Sequence, residues 1–421
     1  MFKWITRISA VLILCLSSVA VFAQDATAEA TAEATAAPVF CGDLAQDDCA
    51  LLQKSADAMK SLSSASFNFG LKVAFSDAKT AEPQTLSIEG KGSFAGLPAN
   101  LMDMHTMSGM TDPAAMFSAM GDAIKNFKGD VTVAINIPPV LLEHMPSDTK
   151  VKLPDTINLE LRLVDGIGYI NTDTLKPLLD SMDMGSKMPK NLKGWIGIDV
   201  IQFITQMMKS NPGMMSQMSG GMMNSNTSAM MGDPAAFMSA VKIERGADKD
   251  GVATFTATLD FAKLAADPAF ADMIRKQTEK QGKTVTDEEL QAGLDEIAKA
   301  GDAIQFTATE MIEIETGYIQ NVSLSIALDG SKLPHDMAAN TSSDSESTDM
   351  TSATVNVSAT VSLADFNNAP EITAPEDATI IPPAFLAQMS KGMMGSMGGM
   401  MGGSANSDAT PEVTPESTPS S

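Results

Sequence analysis

Ile157, Leu159, Leu161 and Leu163 alternate with Asn158, Glu160 and Arg162. Successive side chains of a strand point to opposite faces, so this pattern predicts a strand with one dry and one wet face. Asp165-Gly166 follows at once and suits a two-residue type I′ turn, which needs positive φ at both central positions. Ile167 to Ile170 then reads as the returning strand. After a short helical piece around Leu175 to Leu179, Gly194 to Val200 forms another strand, carrying Trp195.

The same alternation recurs along the chain. Phe67, Phe69, Leu71, Val73 and Phe75 share one phase, with Asn68 and Lys72 in the other, and Leu86, Ile88 and Phe94 mark a second strand interrupted by Gly90 and Gly92. Glycines inside a strand signal a bulge, a bend or close approach by another group, so the sheet is expected to curve there. Further strands are predicted at Val131 to Ile137, Val252 to Phe261, Ile304 to Ile314, Val322 to Leu328 and Val355 to Leu363, with turns at Asp250-Gly251 and Thr316-Gly317. About ten strands of this kind call for an antiparallel sheet, because parallel strands buried on both faces read as continuous apolar runs. Its dry face needs a cover. Helices are predicted from Asp48, from Asp267 with Pro268 at the first position, and from Thr286 to Ala300, where Thr286 and Glu289 have capping-box spacing and Gly301 follows as a C-terminal glycine. The fold class is α+β, a curved antiparallel sheet with helices over its apolar face.

Composition divides the chain. Lys3 and Arg7 precede an apolar run from Ile8 to Leu16, and Val21-Phe22-Ala23 supplies a cleavage site, so residues 1–23 read as a signal peptide removed before Gln24. Cys15 follows Leu14 inside the apolar run, which disfavours lipidation there. Residues 24–40 form an Ala/Thr/Glu spacer, 41–388 a folded domain with methionine-rich insertions, and 389–421 a Gly/Met then Ser/Thr/Pro/Glu tail expected to be disordered. Asp112 to Ala119 nearly repeats as Asp233 to Ala240, each reading as a short helix with an Asp cap and Pro in the first turn. Beyond the leader, Cys41 and Cys49 are the only thiols, and in an oxidising compartment they pair as a staple at the start of the domain. The net charge is −24. Loss of Lys3 and Arg7 makes the mature chain more acidic still, so nucleic acid is excluded as a partner.

A leading helix, a one-sided sheet, the hairpin Val164 to Ile170, the strand Lys193-Gly194-Trp195-Ile196 and the ending Phe366 to Ala378 together resemble bacterial carriers of the lipoprotein-carrier (LolA-type) and glycolipid-carrier (LprG/LppX-type) superfamily, over Cys49 to Pro382. The resemblance implies a half-barrel wrapped around helices, with an apolar cavity for acyl chains. It implies a lipid or acylated ligand and a membrane-protein or lipoprotein partner. The candidate cavity residues are Phe67, Phe69, Leu71, Val73, Leu159, Leu161, Trp195 and Phe306. The methionine-rich insertions depart from the family pattern, and no catalytic motif transfers.

Motifs that carry chemistry are sparse. There is no G-x-S-x-G and no H-E-x-x-H, and His105, His144 and His335 are the only imidazoles. Gly282-Lys283-Thr284 lacks the earlier glycine of a phosphate loop, and Asp248, Asp250 and Gly251 lack the remaining ligands of a calcium loop. Methionine stands out, with 32 residues. Its clusters, such as Met102 to Met120 and Met207 to Met238, suit an adaptable lid over a lipid site. Alternatively, Met102, Met104, His105, Met107 and Met110 could hold Cu(I), which soft sulfur selects. A third alternative is loosely packed loops on a scaffold that binds nothing small. The expectation is an exported, non-enzymatic protein without a cofactor, possessing an apolar ligand site and possessing no second membrane span.

Overall fold

A computed structural model describes residues 39–76, 83–97, 121–143, 153–181, 193–210, 238–280, 284–333 and 353–382. The signal peptide, most of the spacer, the tail, His105 and Met102, Met104, Met107 and Met110 lie outside them, as does all of the first Asp-Pro-Ala-Ala segment and most of the second. The strands are β1 (Ser64–Ser76), β2 (Gln84–Ala95), β3 (Lys128–Asn136), β4 (Thr156–Val164), β5 (Ile167–Asn171), β6 (Trp195–Asp199), β7 (Val241–Arg245), β8 (Val252–Leu259), β9 (Ile304–Glu313), β10 (Ile319–Asp329), β11 (Thr354–Ala364) and β12 (Thr379–Ile381). They form a single 12-stranded curved, open sheet in the order β12-β6-β5-β4-β3-β2-β1-β11-β10-β9-β8-β7. The sheet therefore has two strands more than the alternation predicted. All pairings are antiparallel except β12 with β6, which run parallel.

The turns follow their chemistry. Asp165 and Gly166 have φ of 52° and 79°, and Asp250 and Gly251 repeat those values between β7 and β8, as a type I′ turn requires. Thr316-Gly317 lies between β9 and β10, where Gly317 takes φ +83° and donates to the Glu313 carbonyl.

Register assigns the faces, because directly paired residues share one. One row runs Leu159, Val133, Gly90, Phe69, Val361, Val322, Glu310, Phe255, Arg245 across nine strands. The neighbouring row holds Ile196, Ile170, Leu161, Val131, Gly92, Phe67 and Leu363. Leu71, Val73 and Phe306 lie on this same inner face, Phe306 paired with Ile326 and Val73 with Val357.

The helices are α1 (Gln46–Lys60), α2 (Pro139–Glu143), α3 (Thr172–Ser181), α4 (Val200–Ser210), α5 (Phe261–Ala266), α6 (Pro268–Lys280) and α7 (Asp287–Ala300). Helix α1 starts two residues before the Asp48 expected from sequence, and the Cys41–Cys49 disulfide ties the preceding segment to its first turn. Its Leu51 and Leu52 pack on the inner-face residues Ala253, Phe255 and Ile312. Helices α5, α6 and α7 pack around Leu264, Phe270, Leu290 and Leu294 with Leu259, the last residue of β8. The expected capping box is present: the Thr286 hydroxyl accepts from the Glu289 amide and the Glu289 carboxylate accepts from the Thr286 amide. Strand β8 ends at Leu259, earlier than expected, because Asp260 accepts from the Lys263 amide and starts α5.

Candidate functional site

The two halves of the inner face differ. On β8 to β11 the inner positions Phe255, Ala257, Ala308, Ile312, Leu324, Val355, Val357 and Ala359 are buried under the described helices or against each other, while Phe306, Glu310, Val322, Ile326 and Val361 are half-buried. On β1 to β4 the inner positions Phe67, Phe69, Leu71, Val73, Val131, Leu159 and Leu161 are all only half-buried. Large apolar side chains without full cover are candidates for a binding surface, although Leu71 and Val73 also pack against buried residues of the neighbouring half.

That half contains a cavity of about 410 Å³, within the range of small-ligand sites. Its apolar lining comes from Phe67, Phe94, Leu97, Phe127, Val131, Leu161 and Leu163. A run of phenyl rings leads into it: Phe69 and Phe67 lie 6.3 Å apart by centroid, Phe67 and Phe94 6.4 Å, and Phe94 and Phe127 6.4 Å. The β2 glycines make room for these rings, since a Cβ on Gly90 would overlap the Phe69 ring and one on Gly92 would meet the Asp130 carbonyl and lie 3.0 Å from Phe67 Cζ. Of the three sequence alternatives for those glycines, close approach is the one observed.

Gly129, Ser93, Asp130 and Arg162 complete the lining, and Asp130 and Arg162 each hold a hydrogen bond within the protein. Asp130 Oδ1 accepts from the Ser93 amide at 3.1 Å. Arg162 Nη1 donates to the Thr373 carbonyl at 3.1 Å, and its guanidinium lies 5.1 Å from the Trp195 ring centroid. The cavity thus offers a ligand almost wholly apolar surface.

Trp195 is not part of it. Paired with Asn171, and one residue out of phase with the inner-face Ile196, it lies on the outer face with Arg162. There it packs near Val164, Tyr169 and Ile372 of the C-terminal segment. Of the other candidates, Phe67 and Leu161 line the cavity, and Phe69, Leu71, Val73 and Leu159 extend its inner face. Phe306 packs instead into the covered half, beside Ala257, Ala308 and Leu324.

Sequence inspection passed over Glu310. It is an inner-face residue between Phe255 and Val322, and burial pushes its carboxyl up from 4.5 to about 7. Desolvation disfavours the charged form, and among the described residues no ion pair or hydrogen bond offsets it. The signal was present in the phase of β9, where Ile304, Phe306, Ala308, Glu310 and Ile312 share a face.

Among the described residues, no group of three or more His, Cys, Asp or Glu is placed to hold a metal ion. No described helix is long and apolar enough to cross a membrane. No family model matches the sequence, and no curated protein matches it. Among solved structures, the lipoprotein LppX of Mycobacterium tuberculosis matches at 11% identity with a TM-score of 0.22, covering 77% of this chain and 100% of that one.

Proposed function

We propose that this protein is an exported, non-enzymatic binder of an apolar ligand, a lipid or lipidated molecule, held on the inner face of β1 to β4. The observation that carries this reading is the uneven cover of one continuous sheet. Most inner positions of β8 to β11 are buried, while the β1 to β4 half keeps a phenyl-lined cavity of about 410 Å³ with an almost wholly apolar lining. Excluding hydrocarbon from water there contributes about 0.8 kcal/mol per buried methylene. The Cys41–Cys49 disulfide supports an oxidising, extracytoplasmic compartment.

Native mass spectrometry of the protein purified from its own host tests the proposal, with retained lipid as the expected result. A titration with the neutral apolar dye Nile red provides the second arm. The parent should take up dye, and Leu161→Asp, which places a carboxylate against the cavity, should abolish uptake while leaving the far-UV spectrum unchanged. An empty chain by mass together with no dye uptake by the parent defeats the reading.

A further inference from the structure

We propose that Glu310 is the polar anchor for the headgroup of the bound apolar ligand, and that it selects an uncharged hydroxyl headgroup against an anionic one. This rests on the apolar site described above and names the chemistry of what occupies it.

Glu310 belongs to the same register row as Phe69, through Val322 and Val361. Three strand spacings of about 4.8 Å separate them, about 14 Å along the sheet. All four residues of that strip are half-buried, whereas Ile312 on one side and Ala308, Leu324 and Ala359 on the other are buried. The strip is therefore a half-buried row leading from Phe69, whose ring stacks on the cavity-lining Phe67, to a carboxyl, over a distance that a ligand of acyl-chain dimensions spans.

The polar groups at the end of the track lack partners. The Glu310 carboxyl has no ion-pair or hydrogen-bond partner among the described residues. Arg245, two strands away in the same row, is committed to Asp48 and Asp248. Lys54 of α1 donates instead to the Ile314 and Glu315 carbonyls. Independently, Ser55 is 1% exposed and its hydroxyl has no partner. Ser55 lies on the sheet-facing side of α1, one turn beyond the Leu51 and Leu52 that pack on Phe255 and Ile312, two residues adjoining Glu310. Unsatisfied polar groups on both the sheet and its covering helix are costly in a protein that binds only hydrocarbon.

A ligand hydroxyl can donate to the Glu310 carboxylate. A carboxylate or phosphate headgroup would bring a second negative charge into apolar surroundings beside Glu310, with no free cation among the described residues to offset it.

The test uses the full chain at pH 8, with Nile red displaced by dodecanol or by dodecanoate. Glu310→Gln keeps the shape and hydrogen bonding of the side chain but removes its charge. The expected result is that the preference for dodecanol over dodecanoate narrows about tenfold in Glu310→Gln, as removal of one like charge from a poorly solvated site implies. Glu89→Gln, which removes an exposed charge from the outer face, should leave the preference unmoved. Uptake of Nile red with an unchanged preference in Glu310→Gln overturns the anchor alone, and equal narrowing in Glu89→Gln overturns it in favour of net charge. No uptake by the parent removes the apolar site and the anchor together.

Discussion

The Phe69 ring lies over Gly90, its paired residue on the neighbouring strand, in the space a side chain there would fill. Gly90→Ala therefore has to displace the ring or the strand, because the new methyl would also lie 3.0 Å from the Thr132 carbonyl. Overpacking of this kind costs about 1–3 kcal/mol. The expected outcome is a lower denaturant midpoint for Gly90→Ala, with most of the loss absent when the same change is made in a Phe69→Ala background. Additivity of the two changes would show that the ring and the glycine do not share this space.

Strand phase was the most legible part of the sequence, and its misreadings have physical causes. Trp195 is a cavity candidate by family resemblance, yet the phase of Trp195-Ile196-Gly197-Ile198-Asp199 puts it with Asp199 and puts the isoleucines with Ile170 and Gly168. Strand β12 has 3 residues, too few for a period to register, whereas β7 carries a legible alternation of Val241 and Ile243 with Lys242 and Glu244. The parallel pairing of β12 with β6 joins segments far apart in sequence, where local turn chemistry has no say. Gly301 stands at the predicted helix end but with φ −57°, and its requirement is steric: a Cβ would lie 2.8 Å from Phe261 Cβ. Packing between distant elements decides such positions.

Leu71 and Lys72 are adjacent yet occupy opposite faces. Leu71 packs with Ala257, Ala308, Leu324 and Ala359, while Lys72 is exposed and paired with Glu89 at 3.0 Å. Leu71→Asp should cost several kcal/mol by burying an unpaired carboxyl. Lys72→Asp loses only a surface ion pair and should cost about 1 kcal/mol or less. Thermal melts of the two variants check the assignment of faces, and equal tolerance at both positions would refute it.

Arg245 fastens the start of α1 to the edge of the sheet. It pairs with Asp48 in the first turn of α1 and with Asp248 at 2.8 Å, while its guanidinium lies 5.8 Å from the Phe255 ring centroid. The Arg245 and Asp48 side chains are only 24% and 19% exposed, so this pair is less screened than a surface bridge. Arg245→Met keeps much of the apolar stem but leaves Asp48 without its partner, at an expected cost of about 1–3 kcal/mol. Amide hydrogen exchange should show the loss concentrated in the first turns of α1, and uniform protection across the helix would count against this role.

Glu310 makes the sign of one pH effect definite. Its folded-state pKa of about 7 lies above the ordinary 4.5, so the fold favours the protonated form. The associated stability is fully present below about pH 4.5, declines as pH rises towards 7, and is absent above that. A shift of this size corresponds to a loss on the order of 3 kcal/mol across the window. Glu310→Gln cannot ionise and should lack that decline. Urea unfolding of parent and variant at pH 4, 6 and 8 should therefore give stabilities close together at pH 4 and the variant ahead at pH 8. A parent-to-variant difference that stays constant from pH 4 to 8 would mean the carboxyl is as well solvated in the folded chain as in the unfolded one.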